Sequence, residues 1–265
     1  MEMAAKDTGR LRKAREIIDI GLALLESGLI ADTHGNVSAR DADGKSMVIT
    51  PSRRDYRLLE EGDLVRVDLA TGRATGRWNP SSEWRLHAAI YEARRDVNAI
   101  VHHHAVWASA VSAARKTIPV LIDEAADIGP ISTAPYAASA SKELAQSAAA
   151  ELVRGSNAIL LANHGAVAVG RDLREAFRRA VEVERLAKIY VGATVLGGAH
   201  PLDDAAVARS LAFFKEYRTD PGERRDSPGS LRGKRWRGGR PGPMMPGWRS
   251  LIGRSSPATA GSSTR

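Results

Sequence analysis

Three consecutive histidines, His102, His103 and His104, close the strand-like run "NAIVHHHAVW" in a chain that holds seven histidines in 265 residues. Side chains alternate between the two faces of an extended strand, so His102 and His104 point one way and His103 the other. An H-x-H pair on a strand is one way to present two imidazoles to a zinc ion. His164, beside Gly165 in "ILLANHGAVAV", offers a third imidazole at a strand end. Glu83 in "PSSEWRLH" offers a carboxylate on the first turn of a helix. Three imidazoles and one carboxylate match the ligand set of tetrahedral zinc with one labile oxygen ligand, an arrangement of catalytic type. His87 competes for a place in that set, because it follows Glu83 by four residues on the same helix face. A position beside the ligands suits it better. His34 falls in a turn. The spacing alone also allows solvated surface histidines or hydrogen-bonded core histidines.

Elements must bring these residues together. "RLRKAREIIDIGLALLESGLI" carries Leu11, Ile17, Ile18, Leu22 and Leu25 at helical spacing, and Gly28 can end that helix. β-rich runs follow at "NVSARD", "SMVITP" and "DLVRVDL", with "ADG" and "ATG" turns between them. In "SSEWRLHAAIYEAR" the paired serines can cap a helix with Trp84, Ala88 and Tyr91 along one face. The strand ending in the histidines comes next, then a helix over "AVWASAVSAAR" and a loop through "TIPVLIDEAADIGP". A helix at "SASKELAQSAAAELV", a strand pair in "NAILLANHGAVAVG" and two closing helices complete the pattern. The expected fold is α/β: one three-layer α/β/α domain over residues 1–217 with a mostly antiparallel central sheet. No internal repeat and no glycine-rich phosphate fingerprint is found.

Composition narrows the classes. No stretch approaches the ~18 apolar residues of a membrane span, and the charged N-terminus has no apolar segment behind it, so a cytoplasmic location is expected. With no cysteine, zinc fingers and thiol catalysis are excluded, and any metal must be held by nitrogen and oxygen. The net charge of +8 is concentrated at one end: residues 219–265 hold ten Lys and Arg against three acids. The body is nearly neutral, which argues against nucleic acid as its partner. The Gly- and Pro-rich segment 218–265 is expected to be a disordered basic tail, whose Arg, Gly and Trp residues suit at most RNA or another polyanion.

The motifs "DTHGNVSAR", "ITPS", "NPSSEWRLHAAIY", "AIVHHHAVWASAVS", "APYA" and "LLANHGAVAVG" resemble, in order and spacing, the class II aldolase/adducin family, most closely its fuculose-phosphate aldolase branch. The resemblance runs from about residue 10 to 217. It implies that His102, His104 and His164 are zinc ligands, one ion per subunit. It also implies that Glu83 binds the metal at rest and serves as proton donor and acceptor. Gly35, Asn36, Ser81 and Ser82 match positions that hold the substrate's phosphate end and its developing oxyanion, and Ser52 and Arg53 stand at the phosphate site as further substrate-binding candidates. The implied reaction is cleavage of a small phosphorylated ketose to dihydroxyacetone phosphate and an aldehyde through a metal-stabilised enediolate, in a homotetramer with sites at subunit boundaries.

The chain departs from the family pattern in two places. The aldolases usually show Thr-Gly after "TP", where this chain has Ser52-Arg53 followed by Arg54. Losing the glycine blocks close backbone approach to phosphate, whereas an arginine can bind phosphate or carboxylate through its fork; Arg53 and Arg54 are either such a clamp or a solvated loop pair. Asp123 stands where the fuculose-phosphate aldolase branch carries a tyrosine that reaches a neighbouring subunit's site, so Asp123 and Glu124 are either contacts for substrate hydroxyls or a solvated loop pair. A decarboxylase of a phosphorylated oxo-acid is therefore an alternative on the same fold, and a methylthio-sugar phosphate dehydratase is another. Epimerases of the family carry aspartate where this chain has Glu83. A non-catalytic adducin-like scaffold would lack the intact histidine set.

Overall fold

The computed structural model describes residues 2–219, and the tail expected beyond them lies outside the described residues. Helix α1 (Glu2–Glu26) leads into β1 (Asn36–Arg40), β2 (Ser46–Ile49), β3 (Val65–Asp68) and the short β4 (Ala74–Thr75). Helix α2 (Trp84–Ala93), β5 (Ala99–His103) and α3 (Val106–Ala113) follow. Then come β6 (Thr133–Ala134), α4 (Lys142–Val153), β7 (Ala158–Leu161), β8 (Gly165–Gly170), α5 (Leu173–Val195) and α6 (Asp204–Thr219). Among the described residues no helix is long and apolar enough to cross a membrane.

One eight-stranded sheet runs in the order β4-β3-β2-β1-β5-β8-β7-β6. It is mixed, which corrects the expected mostly antiparallel sheet. β6 pairs parallel to β7, whereas the hairpin-linked strands pair antiparallel. The reason is connectivity: α4 crosses over between β6 and β7, and a helical crossover returns the chain in the same direction.

Alternation along the strands divides the core between the two faces. Ala99 and Val101 of β5 and Leu160 of β7 pack with Ile17, Ile18 and Leu24 of α1, Val111 of α3, and Val183 and Leu186 of α5. Ile100, Ile159 and Val167, on the opposite side, pack with Leu86 and Ile90 of α2 and Leu144 and Leu152 of α4. Each fully buried Val, Leu or Ile among them contributes about 1.5–3 kcal/mol.

Two helices differ in detail from expectation. In α2 the buried face is Leu86, His87, Ile90 and Tyr91, with Trp84 and Ala88 only partly covered. The paired serines do not cap it. Glu83 occupies the cap position, and Ser81 Oγ accepts from the Glu83 N–H at 3.3 Å inside the preceding turn. In α1 Leu11 is exposed while Gly21 faces the core, where a Cβ would overlap the ring of Tyr56. Tyr56 thus reaches past the helix, and its hydroxyl donates to the Gly35 carbonyl at 3.1 Å.

Candidate metal centre and its cleft

Register accounts for the meeting of residues far apart in sequence. β5 lies between β1 and β8, with Asn36 opposite His102 on one side and Val167 opposite it on the other. The start of β1, the end of β5 and the β7–β8 turn therefore share one end of the sheet. His164 ends that turn, its N–H donating to the Leu161 carbonyl at 3.0 Å. Asn163 before it takes φ 57°, a left-handed conformation that asparagine tolerates better than most residues. Glu83 is brought to the same end by the segment before α2, which is tied to the end of β2. A bridge joins Pro51 and Pro80, and the Ser81 N–H donates to the Thr50 carbonyl at 3.0 Å.

The outcome is a cluster in which one ligand atom from each of Glu83, His102, His104 and His164 lies within 4.8 Å of the others. His102 Nε2 is 2.9 Å from Glu83 Oε2 and 2.8 Å from His104 Nε2. His164 Nε2 is 3.3 Å from Glu83 Oε1. His104 lies one residue past the end of β5, yet it still turns to the side of His102, as strand alternation requires. His103 faces away and is buried, with its Nδ1 accepting from the Ala105 N–H at 3.3 Å.

The chemistry of these atoms suits a cation. His102 Nδ1 donates to the Ala166 carbonyl at 2.9 Å, so its Nε2 lone pair points inward at the Glu83 carboxylate. A single proton satisfies one such contact; a divalent cation satisfies all four ligand atoms at once. Burial disfavours the charge on Glu83, but the charge and hydrogen bond of His102, with His164 and Asn36, outweigh it and hold the carboxyl well below the usual range. Burial pushes His102 down and the neighbouring Glu83 more than restores it, so its pKa is raised; a cation competes with that proton for the same lone pair. Burial, with the charge of His102, drives His87, His103 and His104 down to about 3, so all three are neutral near pH 7.

Above the cluster opens a cleft of about 610 Å³. Gly35, Asn36, Ser52, Arg53, Ser81 and Ser82 all line it, together with Glu83, His104 and His164. His102 lies buried beneath. Asp123 and Glu124 do not line the cleft of their own chain: Asp123 accepts from Ser210 Oγ at 2.6 Å, and Glu124 lies 3.9 Å from Arg185. Asp32, Thr33, His34 and Ser139 also line the cleft, although spacing had not singled them out as site residues. Ser139 Oγ donates to Glu83 Oε1 at 3.1 Å. Its place in the loop after β6 carries no local signal of that contact.

Two glycines keep the cluster closed. Gly35 has φ 92°, and a Cβ on it would stand 2.7 Å from Ile30 Cγ2 and 2.8 Å from the His102 carbonyl. A Cβ on Gly165 would overlap the His103 carbonyl and crowd the His104 ring at 2.8 Å. Gly165→Ala should therefore push β8 from β5 and cost about 1–3 kcal/mol, read as a lower thermal midpoint. Unchanged stability would contradict this packing.

The chain has close relatives of known name. The family described as Class II Aldolase and Adducin N-terminal domain matches residues 15–191. L-fuculose phosphate aldolase of Escherichia coli K12 is 40% identical over 211 residues, covering 78% of this chain and 96% of that protein. The 5-methylthioribulose-1-phosphate/5-deoxyribulose-1-phosphate aldolase of Rhodospirillum rubrum is 36% identical over 210 residues, covering 78% and 93%. A solved L-fuculose 1-phosphate aldolase superposes with a TM-score of 0.73 at 36% identity, covering 77% of this chain and 96% of that one. The quoted motifs and these matches agree, and the chain belongs to the class II aldolase and adducin N-terminal domain family.

Proposed function

We propose that the protein is a zinc-dependent class II aldolase, a lyase that cleaves a small phosphorylated ketose into dihydroxyacetone phosphate and an aldehyde. The observation that carries this reading is the approach of one carboxylate and three imidazole nitrogens within 4.8 Å at the floor of a cleft lined by anion-binding groups. Relatives named as aldolases of ketose phosphates support it. His102, His104, His164 and Glu83 would hold the metal, and zinc suits that donor set. A divalent cation bound there supplies Lewis-acid polarisation of a carbonyl and stabilises the negative charge that develops beside it.

The remaining work falls to side chains. Gly35, Asn36, Ser52, Ser81 and Ser82 receive the phosphate end and the developing oxyanion through amide, hydroxyl and backbone donors. Arg53 adds a guanidinium with no hydrogen-bond or ion-pair partner among the described residues. Its backbone sits at φ 57°, a region that costs a side-chain-bearing residue about 1–2 kcal/mol. Arginine there replaces close backbone approach by charge. Retro-aldol cleavage takes one proton from the hydroxyl that becomes the aldehyde and returns one to carbon on the retained fragment. Glu83 delivers the second proton, and in the condensation direction it removes the same one. Withdrawal of Glu83 from His102 and His164 raises its basicity toward the range such transfer needs.

The same reading makes the chain a cytoplasmic homotetramer, with a three-layer domain over residues 1–217 and a basic tail over 218–265. Apolar clusters on both faces of the sheet support the three layers. Exposed Val106, Tyr136, Val195 and Leu196 supply apolar surface for contacts between copies. A chain without cysteine suits a reducing compartment.

The test is a screen of ketose 1-phosphates for release of dihydroxyacetone phosphate. At least one should be cleaved by the full chain, with activity lost to chelator and restored by zinc. Carbon dioxide released from a phosphorylated oxo-acid without a second organic product would identify a decarboxylase instead. A chain that binds no metal and turns nothing over would fit the adducin-like scaffold.

A further inference from the structure

We propose that His87 is a positioning residue for Glu83: a one-way hydrogen-bond chain from Tyr91 through Ser38, His87 and Asn36 fixes which end of the Asn36 amide meets the carboxylate. The proposal rests on the reading of Glu83 as proton donor and acceptor. The chain is continuous and buried. Asn36 Nδ2 lies 3.1 Å from Glu83 Oε2, and Asn36 Oδ1 meets His87 Nε2. Ser38 Oγ lies 2.6 Å from His87 Nδ1 and 2.8 Å from the Tyr91 hydroxyl.

Donor and acceptor chemistry leaves one polarity. An ionised carboxylate only accepts, so the group that faces Glu83 must be the NH2 of Asn36. The Asn36 carbonyl then faces His87, and His87 Nε2 must carry the ring proton to donate to it. A neutral imidazole has one N–H, so His87 Nδ1 accepts, and among the described residues its hydrogen-bond partner is the Ser38 hydroxyl, which donates. Having spent its proton, Ser38 Oγ accepts from Tyr91. The opposite tautomer would either set the His87 Nε2 lone pair against the Asn36 carbonyl or flip the amide and set that carbonyl against Glu83.

The consequence reaches the cleft. Asn36 lines it, so the amide braced by His87 presents a donor to Glu83 and to an anionic substrate alike. Without that bracing, the amide is free to turn its carbonyl toward both negative groups. His87 touches neither the ligand atoms nor the space a substrate would fill, so it acts through Asn36.

Two measurements on the full chain test this. In 15N spectra of histidine-labelled protein, with the His87 resonances assigned by their loss in His87→Gln, His87 should be neutral and protonated on Nε2. His87→Leu, compared per folded and metal-loaded chain, should lower kcat about 10–100-fold, the usual cost of losing a partner that orients a metal-site residue. His87→Gln, whose amide can donate to Asn36, should recover most of that loss, although both variants lower thermal stability. A merely structural role would move stability and leave kcat per loaded chain unchanged. Failure of the wild type to cleave any ketose phosphate would overturn the functional reading. An active wild type with His87 protonated on Nδ1, or an active, folded His87→Leu with unaltered kcat, overturns this proposal alone.

Discussion

Glu83→Gln will keep its divalent metal and lose about 10²–10⁴ in kcat, the range expected when a positioned acid–base group is removed. That corresponds to about 3–5 kcal/mol of barrier. The substitution fits the space because both carboxylate oxygens have adaptable or matching partners. The amide oxygen can accept from Asn36 Nδ2, as Glu83 Oε2 does at 3.1 Å. The amide NH2 can face Ser139, whose hydroxyl donates to Glu83 Oε1 at 3.1 Å and can rotate to accept instead. Three imidazoles remain to hold the ion. What is lost is the ability to carry a proton, since an amide does not titrate near neutral pH. Metal analysis and kcat measured on one preparation check both halves. A variant with near-normal kcat would remove Glu83 from the proton transfer, and a variant without metal would make it an essential ligand.

His102→Ala has a different signature, because it should abolish metal binding and activity together. His102 is buried, donates to the Ala166 carbonyl and lies 2.9 Å from Glu83, so no other side chain can take its place. Removing it leaves a buried carboxylate short of its closest partner, a loss of about 3–5 kcal/mol for pairs of this kind. The metal offers a second readout. An ion bound only by the folded protein stabilises it, by about 2.7 kcal/mol when free metal is a hundredfold above Kd. The thermal midpoint of the wild type should therefore fall on chelation, whereas that of His102→Ala should not respond. A His102→Ala chain that keeps one ion and a chelator-sensitive midpoint would exclude His102 as a ligand.

Much of the site was legible in the sequence because it obeys local geometry. The two-residue period of β5 put His102 and His104 on one side and His103 on the other, and Gly165 marked the turn that carries His164. Other features depend on pairings that no local pattern encodes. β6 is two residues long, too short to show alternation, and its parallel pairing follows from the α4 crossover. Ser139 and Ser38 reach their partners only through tertiary packing. Glu83 was placed on the first turn of α2 and instead occupies the cap, because the serines before it are held by the end of β2. Gly21 within α1 reads as a weak point in a helix, and its reason, the ring of Tyr56, lies 35 residues further along the chain. Asp123 follows an apolar loop toward α6 and away from the cleft, where charge alone could not direct it.

The central claim, that three imidazoles and the Glu83 carboxylate close on a single cation, is tested most directly by zinc-edge X-ray absorption on the purified, zinc-loaded full chain. One zinc per chain with three imidazole nitrogens at about 2.0–2.1 Å and oxygen completing the shell is the predicted result. Zinc surrounded by oxygen alone, or a spectrum unchanged when His102, His104 or His164 is replaced by alanine, would contradict it.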